Sequence, residues 1–268
     1  MDNRPIGVFD SGLGGLTVVK ELMKCLPGEN IIYFGDTARI PYGTRSNEAV
    51  IRYSRQSMGF LMSKGIKMVV IACNTVSSVA LGTIAREFKV PVLGVIEPGA
   101  KMAADCTRNQ RMGIIGTRAT IRNKAYEKAI KTYVPNVEIY STACTLFVPI
   151  AEEGWSNTRI ALLTAEKYLD NMKAKDIDTL ILGCTHFPLL EETISQVMGP
   201  GVKLVNPAVG TALEVKETLR ANNSLNINDS DAEYHFFVSD LGEKFEDIGG
   251  RFLGKDIKYV QKIDIEGY

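Results

Sequence analysis

Val70-Ile71-Ala72-Cys73-Asn74-Thr75 and Ile181-Leu182-Gly183-Cys184-Thr185-His186 read as one motif written twice. Each opens on residues that suit a buried strand, narrows to a small residue, places a cysteine and ends in polar side chains where a helix can begin. The doubling continues outward. Ile6-Gly7-Val8-Phe9-Asp10-Ser11 is echoed by Met112-Gly113-Ile114-Ile115-Gly116-Thr117. A strand-like run at 30–34 after Pro27 is echoed at 137–140 after Pro135, and Val95-Ile96-Glu97-Pro98 is echoed by Leu204-Val205-Asn206-Pro207. In chain order these landmarks lie 106, 108, 111 and 109 residues from their copies. One order at nearly one spacing marks a duplication.

Apolar runs at 6–9, 30–34, 68–72 and 91–96 suit buried strands, and the amphipathic segments at 14–25, 46–64 and 76–88 suit helices. Such alternation implies βαβ units and a largely parallel sheet. The expected fold is therefore α/β: two similar doubly wound domains related by pseudo-twofold symmetry, with an active site in the cleft between them. Glu97-Pro98-Gly99 and Asn206-Pro207 are the expected crossings. Beyond Pro207 the pattern predicts a helix at 208–221, a polar turn at 222–231, a strand at 234–238, a helix near 242–253 and a strand near 258–264. This tail most simply completes the first half, giving one discontinuous domain of 1–97 plus 208–268 and a second of 98–207.

The 268 residues carry 31 basic and 31 acidic side chains, so no global field favours nucleic acid or an anionic membrane. The apolar runs are too short to span a bilayer, and the N-terminal segment lacks an apolar signal region. A cytoplasmic location is expected. The five cysteines, Cys25, Cys73, Cys106, Cys144 and Cys184, are widely spaced without a Cys-x-x-Cys pair, as befits free thiols in a reducing compartment.

The duplication sets Cys73 and Cys184 at equivalent points past the carboxyl ends of strands, where open α/β sheets bind ligands. A following helix start lowers a thiol's pKa from about 8.5 toward neutrality. Two buried core cysteines are the plain alternative, but the polar flanks Asn74-Thr75 and Thr185-His186 do not suit a core. Opposed thiols can take a proton from one face of a carbon and return one to the other. Ser11, Asn74, Thr75, Thr185, Tyr42 and loop amides would supply donors for the developing charge.

Asp10-Ser11-Gly12-Leu13-Gly14-Gly15 ends a strand and opens a helix. Asp36 stands where the ribose partner of a dinucleotide would, but such a loop would need glycine at 17, which is Thr17; no phosphate-binding Gly-x-x-x-x-Gly-Lys loop occurs either. A carboxylate here suits proton handling or amine binding. The loop Gly35–Gly43 at the same sheet edge is placed to hold substrate. His186, with Thr75 at its counterpart position, suits proton transfer. Glu152 is a candidate supporting acid, although a surface glutamate is the plainer reading. A metal held by Cys73, Cys184 and His186 would lack the usual close-spaced ligand pair. The cations Lys101, Arg108, Arg111, Arg118, Arg122 and Lys124 form a solvated face or steer an anionic substrate.

Taken together, the motifs at 10–15, 35–43, 72–75 and 183–186 resemble glutamate racemase, and the resemblance runs from about residue 5 to about residue 252. It implies a cofactor-independent isomerase that interconverts L- and D-glutamate and supplies D-glutamate for bacterial peptidoglycan. Carried over residue by residue, Cys73 would take the proton from D-glutamate and Cys184 from L-glutamate. Asp10 would assist Cys73; His186 and Glu152 would assist Cys184. Asp10, Ser11, Tyr42, Gly43, Asn74, Thr75, Thr185 and His186 would hold the substrate, with Thr117 and Thr120 near it. A homodimer is implied, with no nucleic-acid or membrane partner. Aspartate racemases are similar more weakly and carry glutamate where His186 stands. A two-lobed secreted binding protein is the main reading outside enzymes, but it would need a signal segment and no paired thiols.

Overall fold

A computed structural model of the chain describes residues 2–226, 232–240, 245–257 and 259–268. The strands are β1 Ile6–Asp10, β2 Ile31–Gly35, β3 Met68–Ile71, β4 Val92–Gly94, β5 Arg111–Gly116, β6 Glu138–Ala143, β7 Thr179–Gly183, β8 Lys203–Val205, β9 Tyr234–Val238 and β10 Val260–Lys262. The helices are α1 Leu16–Cys25, α2 Asn47–Ser63, α3 Asn74–Val79, α4 Leu81–Glu87, α5 Ile96–Cys106, α6 Arg118–Asn123, α7 Ala125–Tyr133, α8 Phe147–Glu152, α9 Arg159–Lys173, α10 Glu191–Met198, α11 Pro207–Ala221 and α12 Phe245–Leu253.

These strands form two parallel sheets, ordered β10-β9-β2-β1-β3-β4 and β6-β5-β7-β8. The run β2-β1-β3-β4 thus has the same order as β6-β5-β7-β8. Register repeats as well: Ile6 faces Ile31 and Met68 in the first sheet, and Met112 faces Ile139 and Thr179 in the second. Those partners are the residues that the 106-, 108- and 111-residue offsets pair up. The tail adds β9 beside β2 and β10 beside β9, both parallel.

Strands β1 and β3 are buried on both faces, as parallel strands covered by helices must be. Ile6, Val8, Met68 and Val70 join one apolar cluster with α1, α11 and α12, while Phe9, Val69 and Ile71 join another with α2 and α4. Period-two alternation separates the two sets. Each such side chain contributes roughly 1.5–3 kcal/mol by leaving water. The larger cluster continues into the second sheet through Ile115, Leu180 and Leu182 and the residues of α8, α9 and α10, so one core supports both sheets.

Local chemistry explains most element ends. Ser46 and Asn206 cap α2 and α11 by accepting Ala49 N at 3.2 Å and Ala208 N at 3.1 Å. Three expectations need correction. The run at 91–96 is strand only over Val92–Gly94, and Ile96 already belongs to α5. The Pro98/Pro207 echo is therefore out of structural register, since Val70 faces Leu93 whereas Ile181 faces Val205. Pro207 is the first residue of its helix and Pro98 the third of its own; both are tolerated because first-turn N–H groups lack helical partners anyway. The single helix expected at 76–88 is two, broken at Ala80, where φ reaches −112°. In the tail, residues 227–231 of the predicted turn, 242–244 of the predicted helix and 258 of the predicted strand lie outside the described residues.

Candidate active site

The carboxyl ends of β1, β2 and β3 face those of β5, β6 and β7 across a cavity of about 310 Å3. Ser11, Tyr42, Gly43, Cys73, Asn74 and Thr75 line it from the first sheet; Thr117, Glu152, Cys184, Thr185 and His186 line it from the second. Asp10 and Thr120 are buried outside the lining, one beside the glycine loop and the other behind Thr117.

Cys73 is the residue before α3 and is 5% exposed. Its sulfur donates to Ser11 Oγ at 3.3 Å. Burial pushes the thiol up to about 12, the Asp10 charge adds to that, and the Ser11 hydroxyl and Val76 amide oppose it. The sequence-based expectation of a lowered thiol pKa is thus reversed at Cys73: desolvation of a closed site outweighs the helix start. Asp10 accepts from Gly12 N at 2.9 Å through Oδ2, and its other oxygen has no protein partner. Burial raises its pKa against the lowering influence of His186 and the backbone N–H groups of Gly12 and Gly15.

Cys184 has a different neighbour. His186 Nδ1 lies 3.8 Å from its sulfur, and His186 Nε2 lies 2.9 Å from Glu152 Oε1. Burial disfavours a charged imidazole, yet the Cys184 and Glu152 contacts and charges overcome it and raise His186 to about 10. The tail steadies this chain of groups. Arg251 donates to the Glu152 carbonyl at 3.0 Å, and the Phe252 ring meets the imidazole edge-on at 5.1 Å.

Contacts across the cavity are close. A Cβ on Gly14 would lie 2.2 Å from Thr185 Oγ1 and 2.6 Å from His186 Nδ1, and one on Gly43 would lie 2.9 Å from Thr117 Cβ. Thr17 Oγ1 donates to the Thr185 carbonyl at 3.0 Å. Thr75 Oγ1 lies 2.9 Å from Thr117 Oγ1, which lies 3.0 Å from Thr120 Oγ1. The Tyr126 hydroxyl donates to Asn74 Oδ1 at 2.6 Å, leaving the Asn74 amide N–H groups to donate.

Several sequence readings change here. The Tyr42 hydroxyl donates to Asp36 and is not a free donor for substrate, so Tyr42 presents other atoms to the cavity. Asp36 is fully buried and also accepts from Arg39 Nε and Ser239 Oγ, each at 2.7 Å; it anchors the loop after β2. Of the six cations on the candidate basic face, only Arg118 lines the cavity, while Arg111 and Lys124 pair with Glu138 and Glu127. His235 is paired with Glu233 away from the cavity. Among the described residues, no three His, Cys, Asp or Glu side chains converge as metal ligands do.

Sequence reasoning missed Thr145, Val148 and Pro149, which line the cavity opposite Ile40 and Pro41. The 108-residue offset of that part of the repeat carries Ile40 and Pro41 onto Val148 and Pro149, so the duplication held the signal.

The Asp/Glu/Hydantoin racemase family matches residues 6–214. A glutamate racemase of Geobacter metallireducens is 50% identical over 263 residues, covering 98% of this chain and 97% of that one. Among solved structures, a Francisella tularensis glutamate racemase in complex with D-glutamate is 41% identical, covers 100% of both chains and superposes with a TM-score of 0.93. A Bacillus anthracis glutamate racemase isoform is 37% identical over 98% of both chains, with a TM-score of 0.94.

Proposed function

Because the chain belongs to the Asp/Glu/Hydantoin racemase family, we propose that it interconverts L- and D-glutamate by passing protons between the α-carbon and two cysteine thiols, without a cofactor. One observation carries this reading: Cys73 and Cys184 line a single cavity from two different sheets, each with its own polar partner.

In the L-to-D direction His186, held by Glu152, takes the Cys184 thiol proton, and the resulting thiolate takes the α-proton. Cys73, kept protonated by burial, delivers its proton to the opposite face. The D-to-L direction runs on the reverse loading, with Asp10 assisting Cys73. The carbanion-like transition state is stabilised by the Asn74 amide, the Ser11 and Thr185 hydroxyls and loop N–H groups, in a site that excludes water. Residues 1–97 with 208–268, and 98–207, act as the two units that close on substrate. The same reading places the enzyme in the cytoplasm as a homodimer that supplies D-glutamate for cell-wall peptidoglycan. No helix among the described residues is long and apolar enough to cross a membrane.

Solvent hydrogen tests the scheme. L-Glutamate turned over in D2O should give D-glutamate already labelled at the α-carbon, while the remaining L-glutamate stays largely unlabelled at low conversion. Substantial unlabelled D-product at the outset would exclude opposed thiols. Cys73→Ala and Cys184→Ala should each abolish racemisation in a folded protein.

A further inference from the structure

The two halves of the site are copies, but glutamate is not symmetric. An ammonium, an α-carboxylate and a distal carboxylate must be told apart, so recognition depends on places where the copies differ. The 106-residue offset of the first motif pairs Asp10 with Gly116, Ser11 with Thr117 and Gly12 with Arg118. Ser11, Gly12, Thr117 and Arg118 all line the cavity. One half therefore carries a carboxylate where the other has glycine, and the second carries a guanidinium where the first has glycine.

Among the described residues, Arg118 is the only lysine or arginine in the cavity lining, and Glu152, the only carboxylate there, is engaged with His186. Arg118 is exposed and forms no ion pair among the described residues. On this side of the cavity the Tyr42 hydroxyl is committed to Asp36, and the Thr117 hydroxyl to its exchange with Thr75 and Thr120. Thr117 also sits against Gly43, which places its neighbour Arg118 by the loop wall formed by Pro41, Tyr42 and Gly43. A guanidinium matches a carboxylate in two parallel N–H to O bonds.

Resting on the glutamate reading, we propose that Arg118 binds the side-chain carboxylate of the substrate and sets which amino acids the site accepts. Arg118 then marks the anionic end of the substrate on a framework that is otherwise duplicated, while its counterpart half carries the buried Asp10 behind the lining, on the Cys73 side.

The test compares wild type with Arg118→Gln and Arg118→Lys, all verified as folded by circular dichroism. It measures KM and kcat for glutamate and the inhibition constant of glutamine, whose side chain has the same shape without the charge. Arg118→Gln should raise KM for glutamate about 10- to 100-fold, the worth of a charged hydrogen-bonded pair, with kcat nearly unchanged. KM for glutamate should approach the glutamine constant, which should itself barely move. Arg118→Lys should recover part of the loss, since it keeps the charge and loses the fork, and added salt should weaken wild-type binding more than that of Arg118→Gln. An unaltered glutamate KM in Arg118→Gln, or a lysine variant no better than the glutamine one, would overturn the proposal while leaving glutamate turnover standing. A wild-type protein inert on glutamate would overturn both.

Discussion

His186 Nε2 lies 2.9 Å from Glu152 Oε1, and this contact adds to that of Cys184 in favouring a charged imidazole. A buried histidine on its own favours the neutral form. With Glu152 and Cys184 as neighbours its pKa rises to about 10. The counterpart of His186 in the other half is Thr75, which bonds to Thr117 instead. The two thiols are therefore equivalent in fold and unequal in chemistry.

Replacing Glu152 by Gln should lower the His186 pKa and slow proton transfer at Cys184, by up to the lower end of the roughly 10²–10⁴-fold range for acid–base groups. The equilibrium between enantiomers cannot shift, so kcat/KM must fall equally in both directions. The asymmetry should appear in α-deuterium isotope effects, growing for L-glutamate in Glu152→Gln and for D-glutamate in Asp10→Asn. Identical effects for both substrates in both variants would refute the assignment of partners.

The same contact predicts a pH signature in stability. His186 is raised in the folded state to about 10 from about 6.5. The folded protein then holds more protons than the unfolded chain between those values, so this contribution is complete below about pH 6.5 and lost as pH climbs through about 10. The Tm difference between wild type and Glu152→Gln should shrink across that window. A constant difference would mean that the contact contributes no charge.

Gly14→Ala would place a methyl 2.2 Å from Thr185 Oγ1 and 2.6 Å from His186 Nδ1. Overpacking should cost about 1–3 kcal/mol. Because the strain falls on Thr185 and His186, activity should drop far more than the denaturation midpoint suggests. Gly82, whose Cβ would meet nothing within 4 Å, serves as the control substitution and should leave turnover intact.

Lys67 and Glu29 form a buried pair at 2.6 Å, each side chain 1% exposed. Lys67 also donates to the carbonyls of Asp2 and Ser224 at 2.7 and 2.8 Å, and Glu29 accepts from Asn226 N at 2.7 Å. Lys67→Met should destabilise the fold by about 3–5 kcal/mol, since it leaves a buried carboxylate uncompensated. Urea unfolding checks the figure, and kcat at a permissive temperature should be unchanged.

Tyr42→Phe removes one of the donors to Asp36 but leaves Arg39 and Ser239 in place. About 1 kcal/mol of stability should go, as for an ordinary hydrogen bond. The loop through Gly43 should loosen, raising KM more than it lowers kcat. Equal KM values for the variant and wild type would show that the loop holds its position without the Tyr42–Asp36 bond.

The sequence by itself determined the duplicated α/β plan and put Cys73, Cys184, Asp10 and His186 at or just past the carboxyl ends of its strands. Those features rest on local patterns: apolar runs that hide on both faces of a parallel strand, polar residues that start a helix, and a repeat whose offsets survive as sheet register. Tertiary structure alone decided the rest. Burial, which depends on what covers a residue, turned the expected lowering at Cys73 into a rise to about 12. A bond within the loop after β2 took the Tyr42 hydroxyl away from substrate, and a contact between residues 34 apart in the chain joined Glu152 to His186. The meeting of Gly14 with Thr185 and His186, and the choice of Arg118 from six candidate cations, depend on how two sheets face each other, which no local stretch of chain encodes.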